Sequence, residues 1–111
     1  MYLISATAKI SAVDALQLIA EPRRQEILRQ IWNEELSVGA LVARLEIGYP
    51  GVSQHLALLR HAGFVRVRRE GKHRLYRADH DRLGPLKPVL ESFWADRLDE
   101  LARLAEEADQ A

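Results

Sequence analysis

Apolar residues recur at helical spacing from Val13 onward, and the breaks between the runs divide the chain into short elements. Ser11 and Asp14 make a Ser-x-x-Asp start signal, after which Val13, Leu16, Ile19 and Ala20 share one stripe. Glu21-Pro22 ends that helix and opens another, because the fixed φ and missing N–H of proline suit a first helical turn. Ile27, Leu28, Ile31 and Trp32 form the second stripe, and Asn33 to Leu36 is a connector. Ser37 is an N-cap for a short third helix that turns Val38, Leu41, Val42 and Leu45 inward. Glu46-Ile47-Gly48 is a tight turn in which Gly48 is expected to take a positive φ. A fourth helix over residues 49–62 buries Val52, Leu56 and Leu59, spaced i, i+4, i+7, and is closed by Gly63. Pro50, Gln54, Ala57 and His61 lie on its other side, with Ser53 beside them.

After Gly63 the period falls to two. Val65-Arg66-Val67-Arg68 alternates apolar and basic, as a half-buried strand does, and Glu70-Gly71-Lys72 turns the chain into a second strand over residues 74–78. Residues 79–83 read as a short turn or helical piece, interrupted by Gly84-Pro85 and Pro88. A long helix over residues 88–108 then carries Leu90, Trp94, Leu98, Leu101, Ala105 and Ala108 at near coiled-coil spacing. The pattern is mainly α with a small β-hairpin: short helix, three-residue turn, amphipathic helix, hairpin. That is the arrangement of a winged helix-turn-helix. The expected organisation is a single DNA-binding domain over residues 1–111. Its parts are an N-terminal extension (1–10), the helix-turn-helix (37–62), the wing (64–78) and a dimerisation helix (88–108).

Composition narrows the function. At 111 residues the chain has room for one core. It has no cysteine, which removes disulfides, thiolate metal sites and thiol catalysis together. The longest run free of Asp, Glu, Lys and Arg is residues 47–59, too short for a membrane span. The start of the chain has no charged n-region and no cleavage signal, so the expected location is the cytoplasm. Formal net charge is zero, but its distribution is uneven. Residues 60–77 hold seven Lys/Arg against one acid, and residues 91–111 hold seven acids against two arginines. A polyanion responds to the local field, so the basic middle outweighs the zero sum.

Double-stranded DNA is the partner these features suit. A recognition helix needs one packed face and one face free to enter a major groove about 12 Å wide. On the fourth helix Tyr49, Ser53, Gln54 and His55 are placed to reach bases or phosphates, and Gln suits a bidentate contact to adenine. Gly51 is expected to allow close approach to DNA, and Arg60 and His61 to face the backbone. Six basic residues lie within twelve residues of the wing, 66–77. Of these Arg68, Arg69, Lys72 and Arg74 are the expected DNA contacts, since clustered like charge without a polyanion costs stability.

Residues 21–28 (EPRRQEIL), 36–41 (LSVGAL), 52–65 (VSQHLALLRHAGFV) and 68–76 (RREGKHRLY) resemble the ArsR/SmtB family of bacterial repressors. The resemblance implies a homodimer of winged-helix subunits that represses by occupying a palindromic operator. It also implies a dimer interface built from the first and last helices. On this sequence that interface falls on Leu16, Ile19, Leu90, Trp94, Leu98 and Leu101. Where metal-sensing members carry Cys-Val-Cys, this chain has Ser37-Val38-Gly39, and its last helix has no histidine. The resemblance is therefore to a thiol-free branch, with no metal and no cofactor expected. The inducer, if a small molecule, is of unidentified chemistry.

Other readings stand beside these. His55 has two, packing within the fold and contact with phosphate. His80 is expected to be a capping or surface residue, and Trp32 and Trp94 to serve core and dimer packing. Residues 1–10 either extend the first helix across a partner or stay disordered. No Ser–His–Asp set, phosphate loop or carboxylate pair suggests an enzyme. The alternative to a DNA-binding regulator is a winged-helix module for protein interaction, which would have little use for so basic a wing.

Overall fold

The computed structural model describes residues 10–110, so the expectations for residues 1–9 lie outside the described residues. Four helices come first: α1 (Ala12–Ala20), α2 (Pro22–Gln30), α3 (Val38–Arg44) and α4 (Tyr49–His61). The antiparallel hairpin β1 (Val65–Glu70) and β2 (His73–Ala78) follows, then α5 (His80–Leu83) and α6 (Leu86–Gln110).

Local chemistry sets most of these boundaries. The Ser11 hydroxyl accepts the Asp14 N–H at 3.0 Å, and the Ser37 hydroxyl accepts that of Ala40 at 3.1 Å. Glu21 caps α2 with its carboxylate, which receives the N–H groups of Arg23 and Arg24 at 3.0 and 3.3 Å. Gly63 leaves α4 at φ +88°, where a side chain would be strained. Gly48 departs from expectation. Its φ is −68°, because it is the extended N-cap of α4 rather than a left-handed turn residue. The last helix begins at Leu86, two residues before the expected start. Pro88 sits inside its first turn, where an N–H has no helical partner to lose.

Ile27, Leu28, Ile31, Leu41, Val52, Leu56, Leu59, Leu83 and Leu90 meet in one core between the helices and the base of the hairpin. The hairpin is stitched to the helices. Leu36, in the connector before α3, exchanges two backbone hydrogen bonds with Tyr76 at 3.0 and 2.8 Å. The Ala78 N–H donates to the Ile31 carbonyl, and that of Asp79 to Phe64. The tip, at Gly71 and Lys72, projects freely into solvent.

Candidate nucleic-acid interface

Helix α4 has a buried face and an exposed one, and the exposed side includes Leu58. Val52, Leu56 and Leu59 are fully buried, while Tyr49, Ser53, Gln54, Ala57, Arg60 and His61 are exposed. Positions 53, 54, 57, 60 and 61 recur at i, i+1, i+4, i+7, i+8 and so form one solvent face. The Gly48 cap brings no side-chain bond, so the first N–H groups of α4 point free at the positive end of the helix dipole. Gly51 has a reason within the chain itself. A Cβ added there would lie 2.9 Å from the Ile47 Cγ2, so the glycine is needed for the α3–α4 turn to close.

The hairpin register sorts the wing cations. Arg69 pairs directly with Arg74, on the face that also carries Val67 and Tyr76. Arg66 pairs with Arg77, and Arg68 with Leu75, on the other face. On that second face two of the three arginines, Arg66 and Arg68 but not Arg77, are answered from within. Arg68 donates to both oxygens of Glu35 at 2.9 and 2.8 Å and to Glu70 at 2.8 Å, and Arg66 lies 3.8 Å from Asp79. The bond from Arg68 holds the Glu35 carboxyl below its usual range, and the two acids push the guanidinium further up. A phosphate reaching Arg68 would have to displace a carboxylate. Arg60, Arg69, Lys72 and Arg74 form no ion pair among the described residues. Arg74 and Arg60 line a shared groove with His61, Tyr76 and Ala57, joining β2 to the exposed face of α4.

The sequence-expected contacts therefore separate. Tyr49, Ser53, Gln54, Arg60, Arg69, Lys72 and Arg74 stand exposed on α4 and the hairpin. Arg68 is exposed but paired, Gly51 is occupied by local packing, and His55 turns inward. The His55 ring lies 3.3 Å from an Arg24 nitrogen and 3.7 Å from Glu21, and burial holds it below the ordinary imidazole value. Sequence reasoning missed Glu21 and Glu35. The acid three residues ahead of Arg24, at a helix start, was a readable signal for the first. Nothing in the spacing pairs Glu35 with a strand residue 33 positions on.

A second surface is apolar. On α1, Val13 and Leu16 are exposed. On α6, Phe93, Leu98, Leu101 and Leu104 are exposed, Leu98 at 68%. Ile19 and Leu90, expected to face a partner, are 1% and 0% exposed and belong to the chain's own core. The stripe of each helix is wider than the strip left for a partner. Trp94 is half-buried, its ring edge-on to Trp32 at 4.7 Å. His80 also differs from expectation. Asp79 caps α5, while the His80 ring packs edge-on to Trp32 at 4.4 Å and its Nε2 donates to the Trp32 carbonyl at 2.6 Å. Among the described residues no three His, Asp or Glu side chains gather as a metal site, and no helix is long and apolar enough to cross a membrane.

Comparison with known proteins places this geometry. The family model described as bacterial regulatory protein, arsR family, matches residues 21–67. The HTH-type transcriptional regulator Rv2034 of Mycobacterium tuberculosis is 36% identical over 81% of this chain and 84% of its own. The biofilm growth-associated repressor of Agrobacterium fabrum is 41% identical over 71% of this chain and 68% of its own. Among solved structures, the homodimeric winged helix-turn-helix DNA-binding domain Mb0332 from Mycobacterium bovis superposes with a TM-score of 0.67. It covers 88% of this chain and 90% of its own, and at 22% identity the likeness is one of fold.

Proposed function

The chain belongs to the arsR family of bacterial regulatory proteins, DNA-binding transcriptional regulators rather than enzymes, and on that premise we propose that it is a homodimeric, cytoplasmic repressor. Two α4 helices related by a two-fold axis enter successive major grooves of a palindromic operator about 34 Å apart. Gln54, with Ser53 and Tyr49, reads bases; Arg60, Arg69, Lys72 and Arg74 hold phosphates. Residues 37–62 act as the reading head, 64–78 as the wing and 88–108 as the dimerisation helix. Val13 and Leu16 of α1 and Phe93, Leu98 and Leu101 of α6 meet a second copy. The observation that carries this reading is the sorting of the wing. Arg60, Arg69 and Arg74, on and beside the free face of α4, form no ion pair among the described residues, while Arg66 and Arg68, two of the three arginines on the far face, have acids beside them. Unanswered like charges standing directly opposite one another, as Arg69 and Arg74 do, cost stability unless a polyanion lies across them. The repressor sense follows the relative from Agrobacterium fabrum, which is named as one. Release comes from a signal that favours another dimer geometry, an inducer of unidentified chemistry among the choices.

The test is fluorescence-anisotropy binding to the DNA upstream of the protein's own gene, against random DNA of equal length. Preference of about a thousandfold supports the repressor. About four phosphate contacts per subunit give a slope of log K against log salt near −7 between about 50 and 200 mM. Equal weak binding to both DNAs calls for selection from a random pool. Absence of binding at low salt overturns the reading in favour of a protein-interaction module.

A further inference from the structure

His55 sits in the middle of α4, between the exposed pair Ser53 and Gln54 and the buried Leu56, yet its side chain is only 18% exposed. It is held by Arg24, whose own side chain is 15% exposed. The Arg24 Nε donates to the Leu18 carbonyl at 2.6 Å, and another guanidinium nitrogen lies 3.3 Å from the His55 Nδ1. Leu18 is in the last turn of α1, where carbonyls have no helical partner. Gln25 does the same for the next carbonyl, that of Ile19, at 2.8 Å. A guanidinium only donates, so Nδ1 must accept. The ring is therefore neutral, with its proton on Nε2, which faces the Glu21 carboxylate 3.7 Å away. The charged groups acting on the ring are Glu21, Arg24 and Arg23, all at the start of α2.

We propose that His55 is a positioning residue for DNA binding, fastening the recognition helix through Arg24 to the last turn of α1. The inference rests on the repressor reading above for its DNA, but the strut itself exists without DNA. The other flank of α1 carries Val13 and Leu16, so a shift of subunit packing there reaches the reading head through one arginine and one imidazole. A second proton on the ring removes the acceptor and sets two cations against each other. Burial keeps the folded-state value below the ordinary one. The strut therefore adds stability that is full above the ordinary imidazole value and is lost as pH falls through the folded one.

The experiment uses the full chain. Long-range nitrogen–proton NMR of the His55 ring at pH 7.5 is expected to show the Nε2–H tautomer, and an Nδ1–H tautomer overturns the strut. Binding to the DNA upstream of its gene is then compared for wild type, His55→Ala and His55→Asn, the last keeping an acceptor near the place of Nδ1. His55→Ala weakens binding about tenfold with the salt slope unchanged, and His55→Asn recovers most of it. A slope shallower by about 0.9 in His55→Ala would mean a phosphate contact and overturns the positioning role. Should His55→Ala not fold, His55→Asn still decides. It should bind nearly as wild type at pH 7.5 and outbind it once pH has fallen through the folded-state value of the imidazole, and equal loss on both sides of that fall overturns the proposal. Wild type that binds no DNA sinks the repressor reading and the positioning role together, while the tautomer still reports whether the strut is present.

Discussion

The surface made by α4 and the hairpin and the surface made by α1 and α6 are built from opposite materials. The first exposes mostly polar side chains and four cations that form no ion pair among the described residues. The second exposes a row of large apolar side chains. Its two arginines are already matched: Arg97 with Glu26, and Arg103 with Glu100 at 3.3 Å and Glu107 at 2.9 Å. A folded chain normally pairs or disperses charge and hides large apolar groups. Each surface departs from that habit in the one way that a particular partner would repair. Phosphates would answer the free cations, and a second apolar row would cover the leucines. The contrast also explains why zero net charge said so little, since the acids of α6 neutralise the sum without neutralising the wing.

The strongest way to break the contrast is to charge the apolar row. Leu98→Glu combined with Leu101→Glu should give a monomer in sedimentation, with operator affinity lower by about 10²–10⁴, the gain that linking two half-site contacts provides. A dimer that survives both changes would show that α6 is not the interface. Next comes Gln54→Ala, expected to cost about 1–3 kcal/mol on the operator and almost nothing on random DNA. Equal losses on both DNAs would remove Gln54 from base reading.

Arg74→Ala should weaken all sequences alike and flatten the salt slope by about 0.9 for each copy of the chain bound. Arg68→Ala sharpens the comparison from the other side and has the smallest effect. Its charge is already spent on Glu35 and Glu70, so the slope should stay as in wild type. Because the bond from Arg68 lowers the Glu35 carboxyl, that pair contributes above the usual carboxylate range and is lost as pH falls through the depressed value. The difference in stability between wild type and Arg68→Ala should therefore vanish in acid, as followed by thermal melts across pH.

Where the signal was local, the sequence carried it. Ser11, Ser37 and Gly63 act within three or four residues of themselves, and their roles could be read directly. The buried stripe of α4 and the alternation in β1 were equally plain, because burial on one face imposes a period. Periodicity says that a side is apolar without saying what covers it, so Ile19 and Leu90 were given to a partner although the chain's own core takes them. The partnerships that decide the site join residues far apart in sequence: Arg68 with Glu35, and Arg24 with His55. Six basic residues in the wing look alike as a string. Only the folded chain shows which of them find an acid.

The exchange between Leu36 and Tyr76 has a consequence for how the molecule opens. Those two amides close a ring of chain that encloses α3, α4 and β1, so breaking them means loosening the whole ring at once. In hydrogen–deuterium exchange the amides of Leu36 and Tyr76 should be as slow as those of the helices, while Lys72 at the tip exchanges within the dead time. The hairpin then has a slow root and a fast tip. Only its outer half is free to adapt to local irregularities of a double helix, and its inner half keeps fixed station beside the recognition helix.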